Sequence, residues 1–309
     1  MELSIIIVNY NTHEYLEKCL YSILKYLRKI NFEIIVVDNN STDRSIEKLE
    51  EKFVNVKFYF LNENKGFGAG CNYSAGKSSG KYLLFVNTDI EFINDAVSGL
   101  IRFMESNNTA GACSGLLLDE NYSPAYNFNN FPDYSWELKN AYGVGVEETI
   151  SRLLSNPNIT RPEKKPFEVD WFHGAFLLIR KSVYEMVKGF DEKIFLYYED
   201  VDIQKKIKDA GYKIFCIPSE SVRHFTQSSV RTKEGRRVYY YYMHLNKLYY
   251  MSKHFGFLKR LFIRVNYVFG YIIRIIILPL RKKFRGRINE KFSHYFLILK
   301  LYLFRYYYR

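Results

Sequence analysis

The chain has 309 residues with 48% hydrophobic content and no low-complexity tract, which excludes a disordered polypeptide and allows one large α/β domain plus an appendage. Its net charge of +12 is unevenly spread: residues 231–309 carry 19 Lys and Arg against 2 Asp and Glu, the first 230 residues 26 against 31. A mildly acidic body therefore leads into a basic, aromatic tail that calls for a polyanionic partner, nucleic acid or an anionic membrane surface.

Residues 3–8 are a continuous β-branched run and read as a buried first strand. Asn9-Tyr10-Asn11-Thr12 ends it, and Thr12 can cap a helix over about 13–29 with Leu16, Leu20, Ile23, Leu24 and Leu27 on one side. Residues 33–37 form a second strand ending at Asp38, a helix follows over about 44–53, and 56–61 form a third strand. Alternating strands and helices with short joins predict a parallel sheet. The basic n-region of a signal peptide is absent from the first residues, and Cys19, Cys71, Cys113 and Cys216 show no zinc-type spacing. Both features predict a cytoplasmic, reducing setting.

Asn64-Lys65-Gly66-Phe67-Gly68-Ala69-Gly70-Cys71-Asn72 is not the dinucleotide fingerprint, because its glycines are spaced GxGxG and a helix over about 69–77 begins too soon. It fits either a loop that approaches a sugar nucleotide or an ordinary glycine-rich turn. Residues 82–86 are the next buried strand. It ends in Asn87-Thr88-Asp89, and a carboxylate at the C-terminal edge of a strand sits where open α/β sheets bind ligands. Asp89 there could supply one hard oxygen to a divalent cation.

A helix over 95–107 and an apolar stretch over 110–118 follow. Residues 118–170 are irregular and read as an insertion of the active-site-flap kind. Order returns with Trp171-Phe172-His173-Gly174 ahead of a strand over 176–179, and then a helix over 181–188. Glu199, Asp200 and Asp202 open a helix that runs to Ala210, with Gly211 as its C-cap. Acidic side chains there either complement the helix dipole or present one carboxylate as a base in a cleft. A strand over 212–217 and the segment Arg223-His224-Phe225, continuing to Ser229, close the body. A lone His after a strand is usually structural, but His224 beside Arg and hydroxyls could bind metal or phosphate.

In order and spacing, SIIIVNYN, VVDNNSTD, NKGFGAGCN, YLLFVNTD, WFHGAFLLIRK, GFDEKIFLYYEDVD and the His224 segment resemble the inverting family 2 glycosyltransferases of GT-A fold. The resemblance is strongest to the rhamnosyltransferase-like branch of bacterial surface polysaccharide synthesis and covers residues 1–229. It implies a GT-A α/β domain over 1–230 with a mostly parallel central sheet, the 118–170 insertion being an acceptor-side flap; residues 231–309 lie outside the resemblance and read by their own pattern as basic amphipathic helices.

The resemblance also implies roles. Asn9, Tyr10 and Asn11 lie near the base and ribose of a nucleotide-sugar donor, and Asp38 accepts the pyrimidine N3–H. Lys65, Gly66, Asn72 and Asn87 lie along the donor. Asp89 is the metal-bound acid of an Asp-x-Asp motif whose first member is here Asn87, one negative charge fewer. His224 looks like the second ligand to Mn2+ or Mg2+, and Asp200 like the catalytic base. Trp171, His173 and Glu199 would line the subsite of a polyprenyl-diphosphate-linked saccharide acceptor. The reaction implied is transfer of a sugar, L-rhamnose from dTDP-β-L-rhamnose before UDP-linked galactose, N-acetylglucosamine or a furanose. A catalytically silent scaffold is the reading of a different class.

Residues 258–280 of the tail are long and apolar enough to suggest a spanning helix, but Arg264, Asn266 and Arg274 argue against one. Arg260, Arg264, Tyr267, Tyr271, Arg274 and Arg281 share one stripe, and Phe262, Ile263, Phe269, Ile273, Ile276 and Ile277 the others. The expectation is an amphipathic helix in the interface, basic side toward anionic headgroups, on the cytoplasmic face of the membrane. A nucleic-acid partner is set aside, because the apolar side is broader than a phosphate-binding helix needs. A packed helical domain or homo-oligomer contact is the alternative.

Overall fold

Leu3, Ile5 and Ile7 point to one face of the first strand and Ile6 to the other, the period-2 alternation that a sheet covered on both sides requires. The computed structural model describes residues 1–43, 47–125, 127–144, 155–160, 164–225, 233–280 and 286–305. These divide into two compact units. The first comprises the described residues of Met1–Phe131, Arg152–Phe195 and Glu199–Thr226, the second those of Pro132–Ser151, Leu196–Tyr198 and Gln227–Arg309.

The first unit is built on a nine-stranded sheet in the order β3-β2-β1-β4-β10-β6-β11-β5, with β8 paired to β11. The strands are β1 (Leu3–Asn9), β2 (Phe32–Asp38), β3 (Val56–Phe60), β4 (Tyr82–Val86), β5 (Ile90–Glu91), β6 (Ala110–Leu118), β8 (Phe167–Val169), β10 (Phe176–Arg180) and β11 (Lys213–His224). Pairing directions make β1, β2, β3, β4, β6 and β11 run one way, with β5, β8 and β10 opposed, so the sheet is mostly parallel. A short ribbon of β7 (Phe128–Asn129) and β9 (Trp171–Phe172) stands beside it.

Helices α1 (His13–Tyr26) and α4 (Ala96–Ser106) cover one face, where Leu16, Leu20, Ile23 and Leu100 pack on Ile5, Ile7, Leu84 and Val86. Helices α3 (Phe67–Gly76), α7 (Lys181–Met186) and α8 (Glu199–Asp209) cover the other, bringing Cys71, Ala75, Val183, Ile203 and Ile207 onto Ile6, Leu83 and Phe85. Each fully buried Leu or Ile stabilises the sandwich by roughly 1.5–3 kcal/mol, so the two faces supply most of what orders the sheet.

Local differences from the sequence reading have physical causes. The second helix is only α2 (Glu47–Glu50), with 44–46 outside the described residues. Helix α3 starts at Phe67 because Gly66, at φ 88° and ψ 173°, supplies the sharp entry. The 118–170 segment is not uniformly irregular: it holds β7, α5 (Tyr134–Tyr142), α6 (Pro157–Thr160) and β8. Helix α5 is capped at both ends, by the Asp133 side chain accepting from Trp136 N and by Gly143 in the left-handed region.

The second unit holds α5 with α9 (Lys233–His254), α10 (Phe257–Ile277) and α11 (Ile288–Phe304). Its core is aromatic and polar at once. Tyr267 and Tyr302 stack at 4.4 Å between ring centroids, and His244 sits between the hydroxyls of Tyr302 (3.2 Å) and Tyr271 (3.0 Å). The Glu137 carboxylate is fully buried and accepts from Tyr267 OH at 2.6 Å, with Lys247 Nζ 3.0 Å away. Gly270 lets α10 cross α5 closely: a Cβ there would lie 2.0 Å from the Ala141 carbonyl oxygen.

This packing reverses the expected orientation of α10. Tyr267 and Tyr271 are buried, Arg274 donates to the Asn140 carbonyl at 2.7 Å, and Arg264 donates to the Tyr302 carbonyl. The basic, aromatic stripe faces the unit's own helices. Phe262, Phe269, Ile273 and Ile276 are exposed instead. Guanidinium groups and tyrosine hydroxyls find their partners on α5, α9 and α11, which periodicity along α10 alone cannot reveal. Arg281 lies outside the described residues.

Candidate active site

Parallel register brings the ends of β1 and β2 together, with Asn9 opposite Asp38. Asn9 is fully buried, and its Nδ2 donates to Asp38 Oδ1 (2.8 Å) and Ser41 Oγ (3.1 Å). Asp38 also accepts from Ser41 Oγ (2.5 Å) and Ser41 N (2.8 Å). A carboxylate has about four acceptor sites, so one remains for an incoming N–H donor. Asn11, at φ 55°, accepts from Thr42 N at 2.8 Å and closes the loop from the other side. Tyr10 stands exposed at the rim.

Asn39, which the sequence reading passed over, ties this loop to the glycine segment: its Nδ2 donates to the Gly66 carbonyl at 2.9 Å. Lys65 is exposed and paired with Glu63 at 3.5 Å. Asn72 does not join the cluster. Its amide is committed to the turn after α7, donating to Phe190 O (3.0 Å) and Glu192 Oε1 (2.9 Å) and accepting from Tyr184 OH (2.6 Å) and Phe190 N (2.9 Å). It lines a cavity of about 230 Å³ with Lys181, Tyr184 and Lys188.

At the end of β4, Asn87 N donates to the Ala175 carbonyl at 2.9 Å. Asp89 follows, and the pairing of β5 with β11 sets Ile90 opposite His224. That register brings Asp89 Oδ1 to 3.2 Å from His224 Nε2, both side chains largely buried. No group of three His, Cys, Asp or Glu able to hold a metal occurs among the described residues. A carboxylate oxygen and an imidazole nitrogen about an octahedral edge apart nevertheless suit a divalent first-row ion, provided a substrate completes the shell. Thr226–Ser229 lie outside the described residues.

Beyond His224 stands His173, at the end of β9, with Trp171 tilted against it at 5.4 Å between ring centroids. Burial pushes the His173 imidazole down to about 4, and the nearby His224 adds to the effect. Trp171 Nε1 donates to the Asn130 carbonyl at 2.9 Å, which fixes the indole. The next residue, Gly174, donates its N–H to Asp200 Oδ2 at 2.9 Å, and Val201 N donates to Asp200 Oδ1 at 2.8 Å. Burial raises Asp200 to about 6, with those two N–H groups opposing the rise. Asp89 and His224 are thus neighbours at the end of the sheet, His173 is close to His224, and Gly174 joins the His173 segment to Asp200.

Glu199 is placed differently. It is buried beside the α3 glycines, where a Cβ on Gly68 would lie 3.8 Å from the Glu199 Cβ, away from the Trp171–His173 wall. Burial pushes its carboxyl well above the usual carboxylate range, and Asp200 adds to that.

Gln204 is a second residue that sequence reasoning missed. One turn beyond Asp200 and fully buried, it accepts from Phe172 N (2.8 Å) and donates to Phe172 O (2.7 Å) and Asp200 O (2.9 Å). It clamps the strand bearing Trp171 and His173 to the helix bearing Asp200. A glutamine four residues after an acid was the one signal, too common on helices to single out.

A mostly parallel sheet with a polar loop cluster at its C-terminal edge, together with the half-buried Asp200 carboxylate, is the GT-A glycosyltransferase architecture. The chain belongs to glycosyl transferase family 2, whose model matches residues 4–187. It is 25% identical over 241 residues to the N-acetylglucosaminyl-diphospho-decaprenol L-rhamnosyltransferase of Mycobacterium tuberculosis, covering 72% of this chain and 75% of that one. It is 27% identical over 236 residues to the rhamnosyltransferase WbbL of Escherichia coli, covering 74% and 85%. The solved structure of mannosyltransferase PcManGT from Pyrobaculum calidifontis, in complex with GDP-Man and Mn2+, matches with a TM-score of 0.60 at 13% identity, over 98% of this chain and 87% of that one.

Proposed function

We propose that this glycosyltransferase moves L-rhamnose, with inversion, from dTDP-β-L-rhamnose to a hydroxyl of a polyprenyl-diphosphate-linked saccharide at the cytoplasmic face of the membrane. The observation that carries the chemistry is the half-buried Asp200 carboxylate, aligned by the Gly174 and Val201 amides beside the Trp171–His173 wall. The two rhamnosyltransferases that resemble three quarters of the chain support the sugar, and the decaprenol-linked substrate in the name of one supports the acceptor.

In this reading Asn9 and Ser41 hold Asp38 so that its free acceptor site meets the pyrimidine N3–H. Asn39 and Gly66 set the loop along which the donor lies. Trp171 stacks on the acceptor sugar, and Asp200 takes the proton of the attacking hydroxyl. The oxygen bonds the anomeric carbon as the bond to the nucleoside diphosphate breaks, a single displacement that needs one base and no covalent nucleophile. Asp89 and His224 would hold Mn2+ or Mg2+, which when bound supplies charge stabilisation to the leaving diphosphate.

Thermal stabilisation by dTDP, UDP and GDP, each with and without Mn2+, tests the donor. Ligand at 100 times its dissociation constant adds about 2.7 kcal/mol, a readily measured melting shift. A metal-dependent shift largest with dTDP is expected. A shift largest with UDP would replace the donor by a UDP-sugar.

A further inference from the structure

Helix α10 shows water an unbroken apolar face. Leu258, Leu261, Val265, Phe269, Ile272 and Ile276 are 38–77% exposed. At about 100° per residue they fall within roughly a third of the helix circumference, and at 1.5 Å per residue the stripe is about 27 Å long. A soluble helical unit would bury such a stripe, because an exposed apolar patch of this extent marks a docking surface. Here the opposite stripe is the buried one, so the exposed one is left without any partner among the described residues of its own unit.

Charge identifies the occupant. Residues 231–309 carry 19 basic and 2 acidic side chains. Lys259 beside the stripe, and Arg287 and Lys300 at α11, are exposed, while Arg264 and Arg274 are committed to backbone carbonyls inside the unit. An exposed apolar face on a unit whose solvent-facing charge is mainly basic suits the boundary between acyl chains and anionic headgroups. The stretch Phe257–Leu280, α10 and the turn after it, would also permit a membrane span by length and composition, being 24 residues long with an 18-residue window of mean hydropathy 1.8. Its neighbours decide against that orientation. Helix α5 carries Glu137, Lys139 and Asn140, and α9 carries Glu234, Arg236 and Arg237, so neither can follow α10 through hydrocarbon.

We infer that the exposed stripe of α10 inserts into the acyl boundary of an anionic bilayer with the helix axis in the membrane plane, and that Arg264 and Arg274 are internal struts. This deepens the membrane-linked reading above. Its test reads lipid binding rather than transfer, so the two stand or fall separately.

The experiment is flotation of the full chain with phosphatidylcholine vesicles, with and without phosphatidylglycerol. F269E/I276E alters only solvent-exposed positions and is expected to keep its melting temperature and donor hydrolysis. Its partitioning onto phosphatidylglycerol vesicles is expected to fall about tenfold or more. F269W, compared with wild type, is expected to show added quenching by acyl-brominated lipid. Unchanged vesicle binding of F269E/I276E, or no added quenching in F269W, would overturn the proposal. So would a wild-type dimer in solution that F269E/I276E splits, which would assign the face to a second copy of the chain.

Discussion

The backbone N–H of Gly174 donates to Asp200 Oδ2 at 2.9 Å, so the residue that follows His173 in the chain also aims the carboxylate opposite. The Trp171–His173 wall and the Asp200 carboxylate, proposed above as acceptor subsite and base, are therefore one assembly. A substitution that shifts either element is expected to disturb both.

Asp200 gives the pH dependence its sign. Its carboxyl sits at about 6 in the folded protein against an ordinary 3.8, because burial disfavours the charge. The proposed base works only as a carboxylate, so kcat/KM is expected to rise along a limb centred near pH 6 and then level off. Stability runs the other way: the contribution of a raised acid is complete below 3.8 and is lost as pH rises through about 6. Burial and the neighbouring Asp200 push the Glu199 carboxyl well above the usual carboxylate range, and E199Q is expected to leave the limb in place. The pH–rate profiles of the two proteins check this.

Gln204 is a positioning residue. Removing its amide leaves Phe172 N and O buried without partners, each costing about 1–3 kcal/mol. Q204L is expected to lower stability by roughly that range and to raise the acceptor KM. The nucleotide-induced melting shift, which reports on the other side of the sheet edge, is expected to persist. Parallel measurement of KM and of that shift tests the assignment.

Gly66 holds a backbone conformation open in practice to glycine alone, and an added Cβ would lie 2.1 Å from the Phe195 carbonyl oxygen. G66A is expected to lose about 2 kcal/mol or more, and with it nucleotide binding, since the loop held by Asn39 must move. Denaturant unfolding and the dTDP melting shift read the two losses independently.

The Glu137–Lys247 pair tests how the second unit is built. Breaking a buried pair strands one charge and costs about 3–5 kcal/mol, whereas replacing both partners by apolar residues is often neutral. E137L and K247M are each expected to destabilise strongly, with much of the loss recovered in E137L/K247M. A double-mutant cycle on the unfolding free energy measures the coupling.

Much of the catalytic unit was legible because buried parallel strands announce themselves as apolar runs ended by polar triplets. Leu3–Asn9 and Phe32–Asp38 each end at a residue of the candidate site, and Tyr82–Val86 ends just before Asn87, for that reason. Helix α5 was not legible, since its buried Glu137 reads as a solvated charge until Lys247 and Tyr267 arrive from more than 100 residues away. Periodicity in α10 separated two stripes correctly but could not say which one meets water. That depends on the Asn140 and Tyr302 carbonyls, which satisfy Arg274 and Arg264. Asn72 fits the family motif by position, yet its local turn consumes the whole amide.

The central claim is that Asp200 is the base of an inverting transfer, and D200N tests it most directly. The amide keeps the size and, through its carbonyl, one acceptor, but it cannot take a proton. Rhamnosyl transfer from dTDP-β-L-rhamnose is expected to fall by about 10²–10⁴ while the dTDP melting shift stays within error of wild type. Turnover close to wild type with that shift intact would contradict the account.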